Sequence, residues 1–87
     1  MTQTLAQLSP GESGRVAALD FPSKKARRME DLGFLPGQRV TALHTAPFGG
    51  ITAYQVLDTV IALRDTDARR ITLQYKDDAP PVRSVIF

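Results

Sequence analysis

A mainly β fold, a small five-stranded barrel with one helix inserted between strands 1 and 2, is what this sequence predicts, and three observations carry the prediction. Short runs alternate apolar and polar residues with period two, at Val40-Thr41-Ala42, Thr52 to Val56, Ile61 to Leu63 and Ile71 to Tyr75. Glycine, proline and aspartate clusters bound each run. One stretch alone, Ser23 to Leu32, carries a helical stripe, made by Ala26, Met29 and Leu32.

The elements follow in chain order. Thr4 to Leu8 offers a Thr cap and two apolar residues three apart, enough for one helical turn that Ser9-Pro10-Gly11 ends. Gly14 to Leu19 reads as the first strand, stopped by Asp20-Phe21-Pro22. Asp20 or Ser23 then caps the helix, and the residues do not choose between them. Gly33 stops it: with Gly33 at C′, Phe34 is C″ and Met29 is C3, the pair whose apolar contact accompanies a Schellman cap. Pro36-Gly37 fits the centre of a type II turn. Strand 2 is expected from Gln38 to Ala46, with Val40 and Ala42 on one face and Thr41, Leu43 and Thr45 on the other. Pro47-Phe48-Gly49-Gly50 interrupts it. Ile51 to Leu57 and Val60 to Arg64 are two β-rich runs that predict a tight hairpin about Asp58-Thr59. Asp65-Thr66-Asp67-Ala68 suits a single helical or 3₁₀ turn before the fifth strand at Ile71, Leu73 and Tyr75. Five strands with one turn before the last describe a partly open barrel of the SH3 type. Its expected core is Val16, Met29, Leu32, Val40, Ala42, Val56, Ile61, Leu63, Ile71 and Leu73.

Eighty-seven residues fit one domain, taken as 1–75, followed by a C-terminal tail, 76–87, that is extended through Ala79-Pro80-Pro81 or adds a short strand. Weak self-association through Val82 and Val85-Ile86-Phe87 is a further expectation for that tail. No apolar run approaches the roughly 20 residues of a membrane span and Met1 to Gln7 lacks a signal-peptide pattern, so a cytoplasmic protein is expected. The absence of cysteine excludes disulfides, thiolate zinc sites and cysteine-ligated clusters. A net charge of +2 does not demand a polyanionic partner.

Chemistry is scarce. The lone His44 has no cysteine partner, and no serine sits in a nucleophile-elbow pattern. The loop at Pro47-Phe48-Gly49-Gly50 lacks the Gly-Lys-Ser/Thr of a phosphate-binding loop. Asp65 with Asp67, and Asp77 with Asp78, have no apolar setting around them in the sequence and read as solvated turn residues. The chain is therefore expected not to be an enzyme. No cofactor is required; His44 with surface carboxylates is the candidate for a weakly bound divalent transition metal, against the plainer reading of a half-exposed strand histidine. Lys24, Lys25, Arg27 and Arg28 beside Phe21 and Phe34 invite a nucleic-acid reading, but a solvated face explains them better and no nucleic acid is expected.

The basic cluster is nonetheless badly placed for stability. It occupies the first half of a helix that ends in Glu30-Asp31, opposite to the macrodipole's preference and costing roughly 0.3 kcal/mol or more per exposed charge. An Arg27–Asp31 pair, spaced i, i+4, offers partial repair. The alternative is a docking surface for an acidic partner, in which Lys25 and Arg28 steer and Phe48, on the neighbouring loop, anchors. The face near Arg64 and Arg70, taken as the opposite side of the barrel, is the next candidate.

Leu32-Gly33-Phe34-Leu35-Pro36-Gly37, then Val40, Ala46-Pro47-Phe48-Gly49, Ile61-Ala62-Leu63-Arg64, Ala68 and Ile71 together resemble the ferrous iron transport protein A (FeoA) family, over about Leu5 to Leu73. Two positions depart from the family pattern: Gly49-Gly50-Ile51 replaces Gly-Asp-Pro, and Asp58 replaces the usual hairpin glycine. The resemblance implies the same SH3-like fold, a basic residue at Arg28, and an accessory or regulatory role in ferrous iron uptake. It also implies a partner: the cytoplasmic GTP-binding portion of the membrane ferrous iron transporter FeoB. The runner-up is a metal-binding or general protein-interaction barrel, since this domain type also ends metal-dependent repressors; the chain shows no DNA-binding helix pair.

Overall fold

The computed structural model describes residues 3–76, with Tyr75 and Lys76 as backbone only. Five antiparallel strands, β1 (Ser13–Leu19), β2 (Arg39–Thr45), β3 (Ile51–Val56), β4 (Thr59–Arg64) and β5 (Ile71–Lys76), form one curled sheet in the order β4-β3-β2-β1-β5. The helix α1 (Ser23–Asp31) joins β1 to β2, and a four-residue helix α2 (Asp65–Ala68) joins β4 to β5. This is the SH3-like barrel the alternation predicts. Of the expected tail, Lys76 belongs to β5, and residues 77–87, including the expected self-association segment, lie outside the described residues.

The end of α1 follows the expected cap. Gly33 has φ +115°, its N–H donates to the Glu30 carbonyl at 2.9 Å, and the Phe34 N–H donates to the Met29 carbonyl at 3.1 Å. These are the two bonds of a Schellman motif, and Met29 and Phe34 are both buried. The chain reversal has a consequence the stripe did not foresee. Leu32, the C-cap residue, is left 40% exposed, and Phe34 takes the core position instead. Immediately after, the Gln38 N–H donates to the Leu35 carbonyl at 2.9 Å, closing the turn around Pro36-Gly37 with Gly37 at φ +89°. The start of α1 differs from expectation: Pro22 is the N-cap, with no side-chain cap bond. Asp20 is drawn away, its backbone N–H bonded to the Arg70 carbonyl and its carboxylate 3.9 Å from the Arg70 guanidinium, and Ser23 lies inside the helix.

Two registers differ from the expected alternation. In β2, Ala42 faces Tyr54 but His44 faces Ala53, so Leu43 is an extra residue in the strand. Such a bulge reverses the alternation beyond it. Thr45 therefore pairs with Thr52 on the side of Val40 and Ala42, not with Thr41, and His44 turns outward. The hairpin turn is Leu57-Asp58 rather than Asp58-Thr59, because Val56 pairs with Thr59. Leu57 accepts φ +55°, a conformation in which a bulky residue is uncommon.

The core holds Val16, Met29, Phe34, Val40, Ala42, Tyr54, Val56, Leu63, Ile71 and Leu73, joined by Leu5, Leu8 and Ala68. Leu5 belongs to a 3₁₀ turn (Leu5–Gln7) that covers the open side of the sheet. Its carbonyl accepts the Tyr54 hydroxyl at 3.2 Å. Ile61, expected in the core, is only partly buried against it, because β4 is an outer strand.

Candidate partner-binding surface

The β2–β3 loop is built to display one side chain. The Gly49 N–H donates to the Ala46 carbonyl at 2.9 Å and the Ala46 N–H to the Ile51 carbonyl at 2.8 Å, so Pro47 and Phe48 are the central residues of a turn at the mouth of the two strands. Phe48 is fully exposed, at 101%. A phenylalanine held in water forgoes roughly 1.5–3 kcal/mol of burial, so fold stability does not account for it.

Helix α1 carries Lys24, Lys25, Arg27 and Arg28, all exposed, over a buried Met29. Pro22, Lys24, Lys25, Arg28 and Met29 line a shallow depression of about 370 Å³. Lys25 has a structural role that local sequence gives no sign of: its ammonium lies 2.9 Å from the Asp67 carboxylate and 5.3 Å from the centre of the Phe21 ring. Arg70 stands 5.5 Å from the same ring. Arg70 thus shares a ring with Lys25, rather than lying on the opposite side of the barrel. The expected Arg27–Asp31 pair does not form, which leaves the charges of Lys24, Arg27 and Arg28 without ion-pair partners among the described residues.

The loop and the helix meet through α2. The Asp65 N–H, at the start of α2, donates to the Gly50 carbonyl at 2.9 Å, and Asp67, two residues on, holds Lys25. The sequence marks Asp65 and Asp67 as turn residues but cannot pair Asp67 with Lys25, 42 positions away.

His44 lies exposed on the outer face of β2 opposite Ala53. Among the described residues no group of three or more histidines, aspartates or glutamates is arranged to hold a metal ion. Among the described residues, Tyr54 is the titratable group with a clear shift: burial pushes its phenol above its ordinary value, the nearby Thr52 side chain partly offsets the rise, and the Asp65 carboxylate adds to it. It faces the core and has no role in the exposed surface. No helix among the described residues is long and apolar enough to cross a membrane.

The crystal structure of Stenotrophomonas maltophilia FeoA complexed with zinc, described as a prokaryotic SH3-domain protein, is similar over 83% of this chain and 89% of its own, with 32% identity and a TM-score of 0.71. The solution structure of FeoA from Chlorobium tepidum is similar over 98% of this chain and 83% of its own, with 23% identity and a TM-score of 0.76. A manganese-dependent transcriptional repressor shares the fold over 86% of this chain and 41% of its own, with 18% identity and a TM-score of 0.75. No curated protein matches the sequence. The FeoA domain family matches residues 3–75, and the chain belongs to the FeoA family.

Proposed function

We propose that the protein is a cytoplasmic, non-catalytic accessory or regulatory component of ferrous iron uptake, acting by docking on the cytoplasmic GTP-binding portion of a FeoB-type membrane transporter. Family membership supports the iron-uptake role, and the fully exposed Phe48 is the observation that carries the docking role. Arg28, with Lys24 and Arg27, supplies the steering charge. Lys25 contributes less than its sequence position suggests, because Asp67 offsets it. A charged face beside an aromatic anchor is the usual division of roles in a transient interface.

The test is a pull-down with the transporter's cytoplasmic portion and a ferrous uptake assay. Arg28→Glu is expected to slow association and flatten its salt dependence, Lys25→Glu to do so less, and Phe48→Ala to speed dissociation. Folded variants that all keep wild-type binding and uptake place the docking surface elsewhere.

Weak divalent-metal binding at His44 is a second reading, favoured by the zinc complex of the S. maltophilia relative. An exposed imidazole that belongs to no group of three or more potential ligands among the described residues matches a low-affinity site at most.

A further inference from the structure

The two edges of the sheet are treated differently. On the β5 side, the Leu73 N–H donates to the Gln3 carbonyl at 2.8 Å and Thr4 bridges Thr72, so the N-terminal segment covers that edge. On the β4 side nothing comparable is seen among the described residues. The hairpin closes at Val56 and Thr59, which makes Thr59, Ile61 and Leu63 the residues whose backbone groups face β3. The N–H and C=O groups of Val60 and Ala62 therefore point away from the sheet, with no backbone partner among the described residues.

Exposed edges are ordinarily blunted by proline, a bulge or a central charge. From Thr59 to Leu63, β4 has none of these: its pairing with β3 is regular and its residues are uncharged. Val60 is 59% exposed and Ala62 is exposed. The charges lie at the two ends, Asp58 before the strand and Arg64 at its last residue, both exposed.

We propose that this edge is a self-association surface: two copies of the chain pair β4 against β4, antiparallel, about a twofold axis through Ile61. In that register Val60 faces the partner copy's Ala62, and the outward backbone groups of both residues make hydrogen-bonded pairs on either side of the axis. Asp58 of each copy falls opposite Arg64 of the other. Moving the axis to Val60 or Ala62 destroys that match, since Arg64 then faces Val56 and Asp58 faces Thr66 respectively. Only the axis at Ile61 satisfies backbone and charge together, and it does so at both ends of the strand. The outer side chains Val60 and Ala62 of the two copies then form one apolar strip, continued by Ala53 on β3. A second copy is the occupant these charges fit, because the strand is complementary to itself.

Sedimentation equilibrium of the full chain over a dilution series is expected to show a reversible monomer–dimer equilibrium. Asp58→Arg or Arg64→Asp alone should weaken it by about tenfold, because each change places like charges opposite one another at both ends. The combined reversal, Asp58→Arg with Arg64→Asp, should restore it. Because the chain has no cysteine, Ile61→Cys tests the axis directly. Facing residues at a non-hydrogen-bonded antiparallel pair lie about 4.5 Å apart at Cα, within disulfide range, so Ile61→Cys should cross-link two copies on oxidation and Val60→Cys should not. A wild-type chain that stays monomeric overturns the proposal and leaves the edge to an extended segment of another protein. A combined reversal weaker than either single change, or cross-linking at position 60 in place of 61, overturns it equally.

Discussion

Replacing Gly33 by alanine tests the link between the helix cap and the hairpin. Two costs add. Gly33 has φ +115°, beyond the left-handed well, where an L-residue pays about 1–2 kcal/mol or more. A methyl group there would also sit 3.0 Å from Leu57 Cδ1 and 3.1 Å from Val56 Cγ2. Leu57 is exposed and can swing aside, but Val56 is fully buried, so the wall cannot simply retreat. Overpacking of this kind costs about 1–3 kcal/mol. The reduced freedom of the unfolded chain returns about 0.4–1 kcal/mol, leaving a net loss of about 1–4.5 kcal/mol. For a domain of this size that lowers the melting temperature by on the order of 5–35 °C. Urea unfolding of Gly33→Ala, of Val56→Ala and of the double variant separates the terms, with Gly11→Ala as a control. Gly11 has a similar φ, +93°, but nothing within 4 Å of the added methyl, so its cost is conformational alone. Gly33→Ala no worse than Gly11→Ala, or a double variant that recovers nothing, would refute the steric argument.

Other outcomes follow from single contacts. Leu63 is 7% exposed within the core cluster, and Leu63→Ala should lose about 2–5 kcal/mol in the same unfolding assay. The raised phenol of Tyr54 makes stability fall at high pH. Its contribution is complete below the unfolded value near 10 and is lost as pH climbs from there through the higher folded value, so Tyr54→Phe should flatten this part of the pH–stability curve. A double-mutant cycle on Lys25 and Asp67, both partly exposed, should give no more than about 1 kcal/mol, falling with added salt. His44→Ala should remove any weak divalent-ion binding seen by calorimetry and leave the melting temperature unchanged, since the side chain is exposed and faces Ala53.

The sequence spoke most clearly where the backbone itself was constrained. Gly33 and Pro36-Gly37 predicted their hydrogen bonds correctly, because each demands a conformation that few residues can take. It misled where neighbours in space decide. Leu32 matches the helical stripe, yet chain reversal at Gly33 turns it out and sends Phe34 in. The Leu43 bulge is invisible in a run that alternates well enough without it. Asp58-Thr59 and Leu57-Asp58 are equally plausible turns on composition, and the packing of Leu57 over Gly33 favours the one in which a leucine bears a positive φ. At the proposed docking surface, the exposure of Phe48 was legible from its Pro-Phe-Gly-Gly setting, while the capture of Lys25 by Asp67 was not, since no local rule pairs residues so distant.

The four residues of α2 matter beyond their length. One end is bonded to the carbonyl of Gly50, at the base of the loop that bears Phe48, and Asp67 holds Lys25 on the basic helix, while Ala68 is anchored in the core. A partner that touches both loop and helix therefore meets two elements whose spacing is already set. Association then need not freeze their relative motion, and a modest contact can yield more of its interaction energy as affinity. Cutting the tie with Asp67→Ala frees helix from loop and also unmasks the Lys25 charge, so the entropy of binding should become less favourable even as association quickens at low salt.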